Sequence, residues 1–136
     1  MTPAIARGVA DSIAYLDSEV ALRSIAVDPY WPKWDSPWWH MLLLYELGEA
    51  KRIPERTAAA MVARLDALLR SRNAGVVAHF YMDPELQGVL YALAWPHVFV
   101  SDSLLMADRG VAMAKAGAGE IIVLGVDFMS ENVRAI

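Results

Sequence analysis

A histidine and a tyrosine two residues apart close an apolar run in the middle of the chain, GVVAHFY at 75–81. Alternate side chains of a β-strand share a face, so this spacing predicts that His79 and Tyr81 stand together while Phe80 points the other way. Histidine can exchange protons near neutral pH or donate to a developing oxyanion. The pair therefore indicates acid–base or hydrogen-bonding chemistry, and a buried histidine beside a tyrosine that buries only its ring is the open structural alternative.

Ser103 is the third candidate, because it follows another short apolar run, HVFVS, and an aspartate. A hydroxyl at the first turn of a helix lies beside backbone N–H groups without intrahelical partners, which suits a carboxylate or a phosphate. Simple capping of the helix by Ser103, or by Asp102 instead, is the structural alternative.

Three strands and three helices are predicted to position these residues. The runs GVVAHFY, HVFVS and EIIVLG are rich in β-branched residues, and helical patterns follow them at 84–94, at 103–116 and from 127 to the end. Such alternation predicts an α/β fold, a three-layer α/β/α domain with a short parallel sheet. Parallel strands end at one edge, where ligands bind in open α/β sheets, so the three strand-to-helix junctions should gather there.

The first 72 residues predict an all-helical N-terminal extension. Its three helices each open at a proline dipeptide, namely Thr2-Pro3, Ser36-Pro37 and Ile53-Pro54. The first helix keeps an apolar face through Val20, and three prolines at 28–37 form a connector that excludes helix. Tryptophans 31, 34, 38 and 39 are interpreted as packing anchors. The predicted domains are therefore 1–72 and 73–136.

Composition narrows the function classes. The 136 residues are 57% hydrophobic with a formal net charge of −4, and their basic residues are scattered among the acids, which argues against nucleic acid as a partner. No apolar run reaches membrane-spanning length and no secretory signal pattern appears, so we expect a cytoplasmic protein without a membrane partner. The absence of cysteine excludes a thiolate-held metal within these residues. Neither His40 nor His97 has a second ligand at metal-binding spacing, so no metal site is predicted.

Three blocks together resemble the opening domain of quinolinate synthase, in the order and spacing of that family: AHFYMDPELQ, SDSLLMA and VLGVDFMSE. The resemblance covers roughly residues 75–136. The preceding stretch DPYWPKWDSPWWHMLLLYELGEA is similar to the N-terminal extension of the longer, plant-like branch of the family.

The resemblance implies a transferase of pyridine nucleotide biosynthesis, which condenses iminoaspartate with dihydroxyacetone phosphate to quinolinate on the de novo route to NAD. It implies three similar α/β domains around a shared active site, a four-iron four-sulfur (4Fe-4S) cluster held by one cysteine from each domain, and L-aspartate oxidase or dehydrogenase as a pathway partner. By the same resemblance, His79 and Tyr81 are catalytic and bind substrate, and Ser103 binds a substrate carboxylate.

The departures from the family pattern carry further expectations. Phe80 and Met82 stand where the commonest motif has Asn and Gln, and both are expected to face away from the candidate pair. Ser101 replaces a common glycine. Without cysteine the chain ligates no cluster, so we interpret it as truncated before the cluster cysteines and expect it to be inactive alone. The alternative function is a non-catalytic module that binds a small carboxylate or a protein.

Overall fold

A computed structural model describes residues 2–134, apart from the side chains of Phe128 and Asn132. The chain divides into two compact units, Met1–Arg64 and Leu65–Ile136. This division falls inside one long helix, and the predicted domains 1–72 and 73–136 stay a prediction. Within residues 2–134 the structure has no helix that combines the length and the apolar character needed to cross a membrane.

The first unit is helical. Its elements are α1 (Pro3–Leu16), α2 (Glu19–Val27), α3 (Pro37–Glu46), a short 3-10 turn (Ala50–Arg52) and the start of α4 (Glu55–Arg72). The prediction of one continuous helix through Val20 is wrong, because α1 stops at Leu16 and the Ser18 hydroxyl caps α2 by accepting from the Ala21 N–H at 3.2 Å. A serine that bonds the backbone of the next turn favours a new helix start over continuation.

The core of this unit joins α1 to α3 and α4. Leu16 and Leu44 are fully buried beside Val9. Thr57 is also fully buried, and its hydroxyl donates to the Leu16 carbonyl oxygen. Burying a polar group is tolerated when it is hydrogen-bonded in this way, so the bond ties α4 to the end of α1.

The tryptophans do not all act as packing anchors. Trp31 is 63% and Trp34 is 70% exposed. Trp34 instead lies against Trp39 with ring centroids 4.2 Å apart, and the Lys33 ammonium stands 4.9 Å from the Trp34 ring. Most of each of these two side chains is open to solvent, so the prediction of anchoring is wrong for Trp31 and Trp34.

The second unit alternates strand and helix as predicted. Its elements are β1 (Ala74–His79), α5 (Pro84–Ala92), β2 (Val98–Ser101), α6 (Ser103–Lys115), β3 (Glu120–Leu124) and α7 (Asp127–Arg134). The strands form a parallel sheet in the order β2-β1-β3. The predicted α/β fold with a short parallel sheet is confirmed, and the predicted continuation of the last helix over residues 135–136 lies outside the described residues.

Both faces of the sheet are covered. Val76 and Ala78 of β1 pack with Leu69 of α4 and Leu90 of α5, whereas the intervening Val77 packs with three buried methionines. Those methionines belong to α6 and α7: Met106, Met113 and Met129. Because side chains alternate along a strand, His79 is directed to the same face as Val77.

Close helix contact on the α6 and α7 side depends on a glycine. A Cβ added at Gly110 in α6 would lie 2.8 Å from Cγ1 of Val133 in α7. Gly88 in α5 is the contrasting case, since a Cβ there would have nothing within 4 Å. Both glycines lie in helices, but only Gly110 has a side chain of another helix where a Cβ would stand.

Candidate functional site at the carboxyl edge of the sheet

Strand register brings the predicted junctions to one edge. His79, the last residue of β1, pairs with Ser101, the last residue of β2, and the Phe80 N–H extends this pairing by donating to the Ser101 carbonyl at 3.1 Å. Ala78 pairs with Leu124, the last residue of β3. Ser103 begins α6 two residues beyond Ser101. The sequence-predicted residues thus follow strand ends at the same edge, as a parallel sheet requires.

The chain turns immediately after His79. The Met82 N–H donates to the His79 carbonyl at 3.0 Å, which closes a four-residue turn. His79 is 6% exposed at the end of the buried strand, whereas Tyr81 is 83% exposed on the turn. The histidine is therefore anchored in the fold and the phenol is open to solvent.

The expectation that Phe80 points away from the pair is wrong. The Phe80 ring stacks on the His79 imidazole with centroids 4.7 Å apart and planes 22° from parallel. The Tyr81 ring lies 4.8 Å from the imidazole and 4.4 Å from Phe80. Strand alternation fails here because β1 ends at His79, so the next two residues follow turn geometry and all three rings meet.

A backbone hydrogen bond determines which nitrogen of His79 carries the proton. The Tyr81 N–H donates to Nδ1 at 3.2 Å. A ring nitrogen that accepts a hydrogen bond has no proton of its own, so the proton of the neutral imidazole resides on Nε2. Nε2 has no hydrogen-bond partner among the residues that the structure describes, and it can donate to an oxygen of a ligand.

Asp102 caps α6. Its carboxylate accepts from the Leu104 and Leu105 N–H groups at 3.0 and 2.9 Å. From the sequence, backbone N–H groups at this helix start are expected to be available to an anion, but Asp102 already occupies these two. The hydroxyl of Ser103 is therefore the group that this residue can offer to a ligand. Ser103 is half-buried at the first position of α6. The assignment of Ser103 as a carboxylate ligand, like those of His79 and Tyr81 as substrate contacts, stays a prediction.

The start of α5 supports the turn. Asp83 caps this helix by accepting from the Glu85 N–H at 2.9 Å, and hydrogen bonding by Glu85, through its side chain and then its backbone, lowers the pKa of Asp83. The Gln87 side-chain amide donates to the carbonyls of Phe80 at 2.9 Å and Met82 at 2.7 Å. Sequence reasoning missed Gln87, although a long amide four residues after a cap is a signal, since the first helical turn faces the preceding loop.

The other histidines have structural contacts. His40 places Nδ1 3.0 Å from the Ser12 hydroxyl, and its ring packs 4.5 Å from that of Tyr15. Burial and the Asp35 carboxylate raise the pKa of Tyr15. His97 meets the Trp95 ring edge to face at 5.0 Å. These contacts fit the predicted core and surface roles.

The residues of this sequence do not fit the iron–sulfur cluster that the resemblance to quinolinate synthase implies. The sequence contains no cysteine to supply a thiolate. Within residues 2–134, His, Asp and Glu side chains also form no group of three suited to a metal ion. Any cluster ligands would have to come from outside this sequence.

Comparison with known proteins decides the family. A family model described as Quinolinate synthetase A protein matches residues 63–136, more than half of the chain. The chain belongs to the quinolinate synthetase A protein family. The predicted resemblance to quinolinate synthase is thereby confirmed, and the match contains the whole β1–β2 edge described above.

The curated relatives come from plants. Over 77 residues the chain is 66% identical to chloroplastic quinolinate synthase of Nicotiana tabacum and 65% identical to that of Arabidopsis thaliana, covering 55% of this chain and 11% of each relative. It is 66% identical over 70 residues to the chloroplastic enzyme of Oryza sativa subsp. japonica, covering 50% and 10%. The chain spans about a tenth of the length of these relatives. No solved structure matches the chain.

These relatives contradict the expectation of a cytoplasmic protein, since each is named as chloroplastic. The expectation rested on the missing secretory signal and membrane span. Those features separate secreted and membrane proteins from the rest, but they do not distinguish the cytosol from an organelle.

Proposed function

We propose that this chain supplies part of a quinolinate synthase, an enzyme that condenses iminoaspartate with dihydroxyacetone phosphate to quinolinate for NAD biosynthesis. The supporting observation is the 65–66% identity to chloroplastic quinolinate synthases over half of the chain. We propose a plastid location on the same ground. No observation favours the alternative of a non-catalytic module.

The proposed substrates suit the groups at the sheet edge. Iminoaspartate carries carboxylates, and dihydroxyacetone phosphate carries a carbonyl and a phosphate, so both are rich in hydrogen-bond acceptors. His79 would donate from Nε2, the exposed Tyr81 phenol would donate or accept, and the Ser103 hydroxyl would bind a carboxylate. Donors fixed before binding stabilise charge that develops on an oxygen without reorganising, and His79 is fixed by its strand and its turn.

Other segments of the enzyme would supply the cysteines that hold the 4Fe-4S cluster of the family. They would also supply two further α/β domains. L-Aspartate oxidase or dehydrogenase would supply the iminoaspartate. The chemistry assigned here to His79, Tyr81 and Ser103 is limited to binding, orientation and proton position.

A chimera tests the proposal. Residues 63–136 of this chain would replace the matching segment of the Nicotiana tabacum enzyme, and quinolinate formation would be measured after anaerobic preparation. We expect activity within about tenfold of the parent, because the exchanged segment keeps the candidate groups. A folded, inactive chimera would refute the enzymatic proposal and leave the binding module.

Substitutions in the chimera test the site. His79→Phe keeps a stacking ring without nitrogens, Tyr81→Phe removes a hydroxyl, and Ser103→Ala removes another. We expect kcat/KM to fall by about 10- to 150-fold for each, the range for losing a hydrogen bond to a charged group. The matched control is Tyr91→Phe on α5, where the tyrosine is 71% exposed and away from the strand ends. Site variants as active as this control would refute the assignment.

A further inference from the structure

One amide side chain holds the turn that carries Tyr81. The Gln87 Nε2 donates to the carbonyl oxygens of Phe80 and Met82, the residues on either side of Tyr81. An amide NH₂ has two donors, so both are used on this turn. Gln87 lies within α5, whose start is fixed by the Asp83 cap, so the turn is fastened to a regular element.

The Phe80 carbonyl and the Tyr81 N–H belong to the same peptide unit. The only cis peptide bond among residues 2–134 is Trp31-Pro32, so this peptide is trans and its carbonyl and N–H point in opposite directions. The carbonyl receives the Gln87 amide, and the N–H reaches the His79 Nδ1 at 3.2 Å. A continuous hydrogen-bonded chain therefore runs from the Gln87 amide, through one peptide, to the imidazole. Such chains polarise their members and strengthen each bond.

We propose that Gln87 is a positioning residue, which fixes the orientation of the Phe80–Tyr81 peptide and thereby keeps the His79 proton on Nε2. The functional meaning of this role rests on the proposed function, because Nε2 is the atom that would face the substrate. Without the Gln87 amide the peptide is free to rotate, the Tyr81 N–H leaves Nδ1, and the two neutral forms of the imidazole become comparable in population.

The test uses the 136-residue chain without substrate. Nitrogen-15 NMR of the His79 ring distinguishes protonated from unprotonated nitrogens, and hydrogen exchange reports the protection of the Tyr81 amide. The variants are Gln87→Met, which removes both donors at similar length, and Gln87→Glu, whose carboxylate at neutral pH only accepts. The control is Val89→Met, which places the same new side chain on an exposed part of α5.

In the unsubstituted chain we expect the proton on Nε2 and a bare Nδ1. In both Gln87 variants we expect exchange of the Tyr81 amide to rise about tenfold, the effect of one lost hydrogen bond, and the Nδ1 and Nε2 signals to move towards each other. A purely structural role would lower the unfolding midpoint and leave the ring signals unchanged.

Two outcomes would overturn the proposal. One is a proton on Nδ1 in the unsubstituted chain, and this measurement does not depend on the folding of any variant. The other is a Gln87 variant that matches Val89→Met in amide exchange and ring signals. Neither measurement involves turnover, so failure here is distinguishable from failure of the enzymatic proposal, which the chimera tests separately.

Discussion

Gly110→Ala is expected to leave the second unit less stable than Gly88→Ala does, although both changes introduce the better helix former. The new Cβ would lie 2.8 Å from Cγ1 of Val133, well inside normal contact. Valine in a helix is largely confined to one rotamer, so this methyl group cannot swing away and α6 must separate from α7. Gly88→Ala is the matched control, because the same methyl group meets nothing within 4 Å in α5.

The magnitude follows from two opposing terms. Replacing glycine by alanine inside a helix stabilises by about 1 kcal/mol at either position. Overpacking a filled contact costs about 1–3 kcal/mol, and only Gly110 incurs it. Gly88→Ala should therefore raise the free energy of unfolding by about 1 kcal/mol. The free energy of unfolding of the Gly110→Ala variant should lie about 1–3 kcal/mol below that of the Gly88→Ala control.

Urea unfolding followed by far-UV circular dichroism measures the difference. Both glycines lie in the second unit, so both substitutions report on the same transition, and the helix-propensity term cancels between them. Equal m-values are required before the two midpoints are compared. Equal stabilisation by both substitutions would refute the close packing of α6 on α7 and the reasoning built on it.

Three further outcomes are expected. Thr57→Val should destabilise the first unit by about 1–3 kcal/mol in urea unfolding, because the Leu16 carbonyl loses its buried donor; a cost near zero would contradict that bond. Asp102→Ala should cost about 1 kcal/mol through loss of the α6 cap while Asp102→Asn costs less, and equal losses would count against capping. The hydrogen bond from Arg70 lowers the pKa of Asp66. This bond therefore stabilises the fold above the ordinary carboxyl pKa, and the stabilisation is lost as pH falls through the lowered pKa of Asp66. Arg70→Met should raise the NMR-measured pKa of Asp66, and an unchanged titration would contradict this origin.

Local signals predicted the elements of the second unit because each signal is set by adjacent residues. Pro84 and the aspartate before it start α5, and α6 begins at the predicted Ser103. The break between α1 and α2 escaped prediction because the apolar spacing continues through Ser18. The competition between a serine hydroxyl and the helical backbone leaves no trace in that spacing.

The edge of the sheet was predictable and the contacts on it were not. The parallel sheet fixes where His79 and Ser103 fall, and this follows from the order of strands and helices alone. The stacking of Phe80 on His79 depends on the residue at which β1 ends, and strand boundaries are the least certain feature of a sequence pattern. The bonds of Gln87 depend on the path of the turn, which composition does not determine.

The strand order β2-β1-β3 separates the location of the candidate histidine, which the fold determines, from its reactivity, which the side chain determines. The connection after β1 leads to one neighbour and the connection after β2 crosses to the other, with α5 and α6 packed on opposite faces of the sheet. β1 is therefore the central strand, with its last residue His79 paired to Ser101 of β2 and the preceding Ala78 paired to Leu124 of β3. The location of residue 79 is therefore a property of the chain path, while its reactivity belongs to the single side chain at that position, so the location can outlast a change in chemistry.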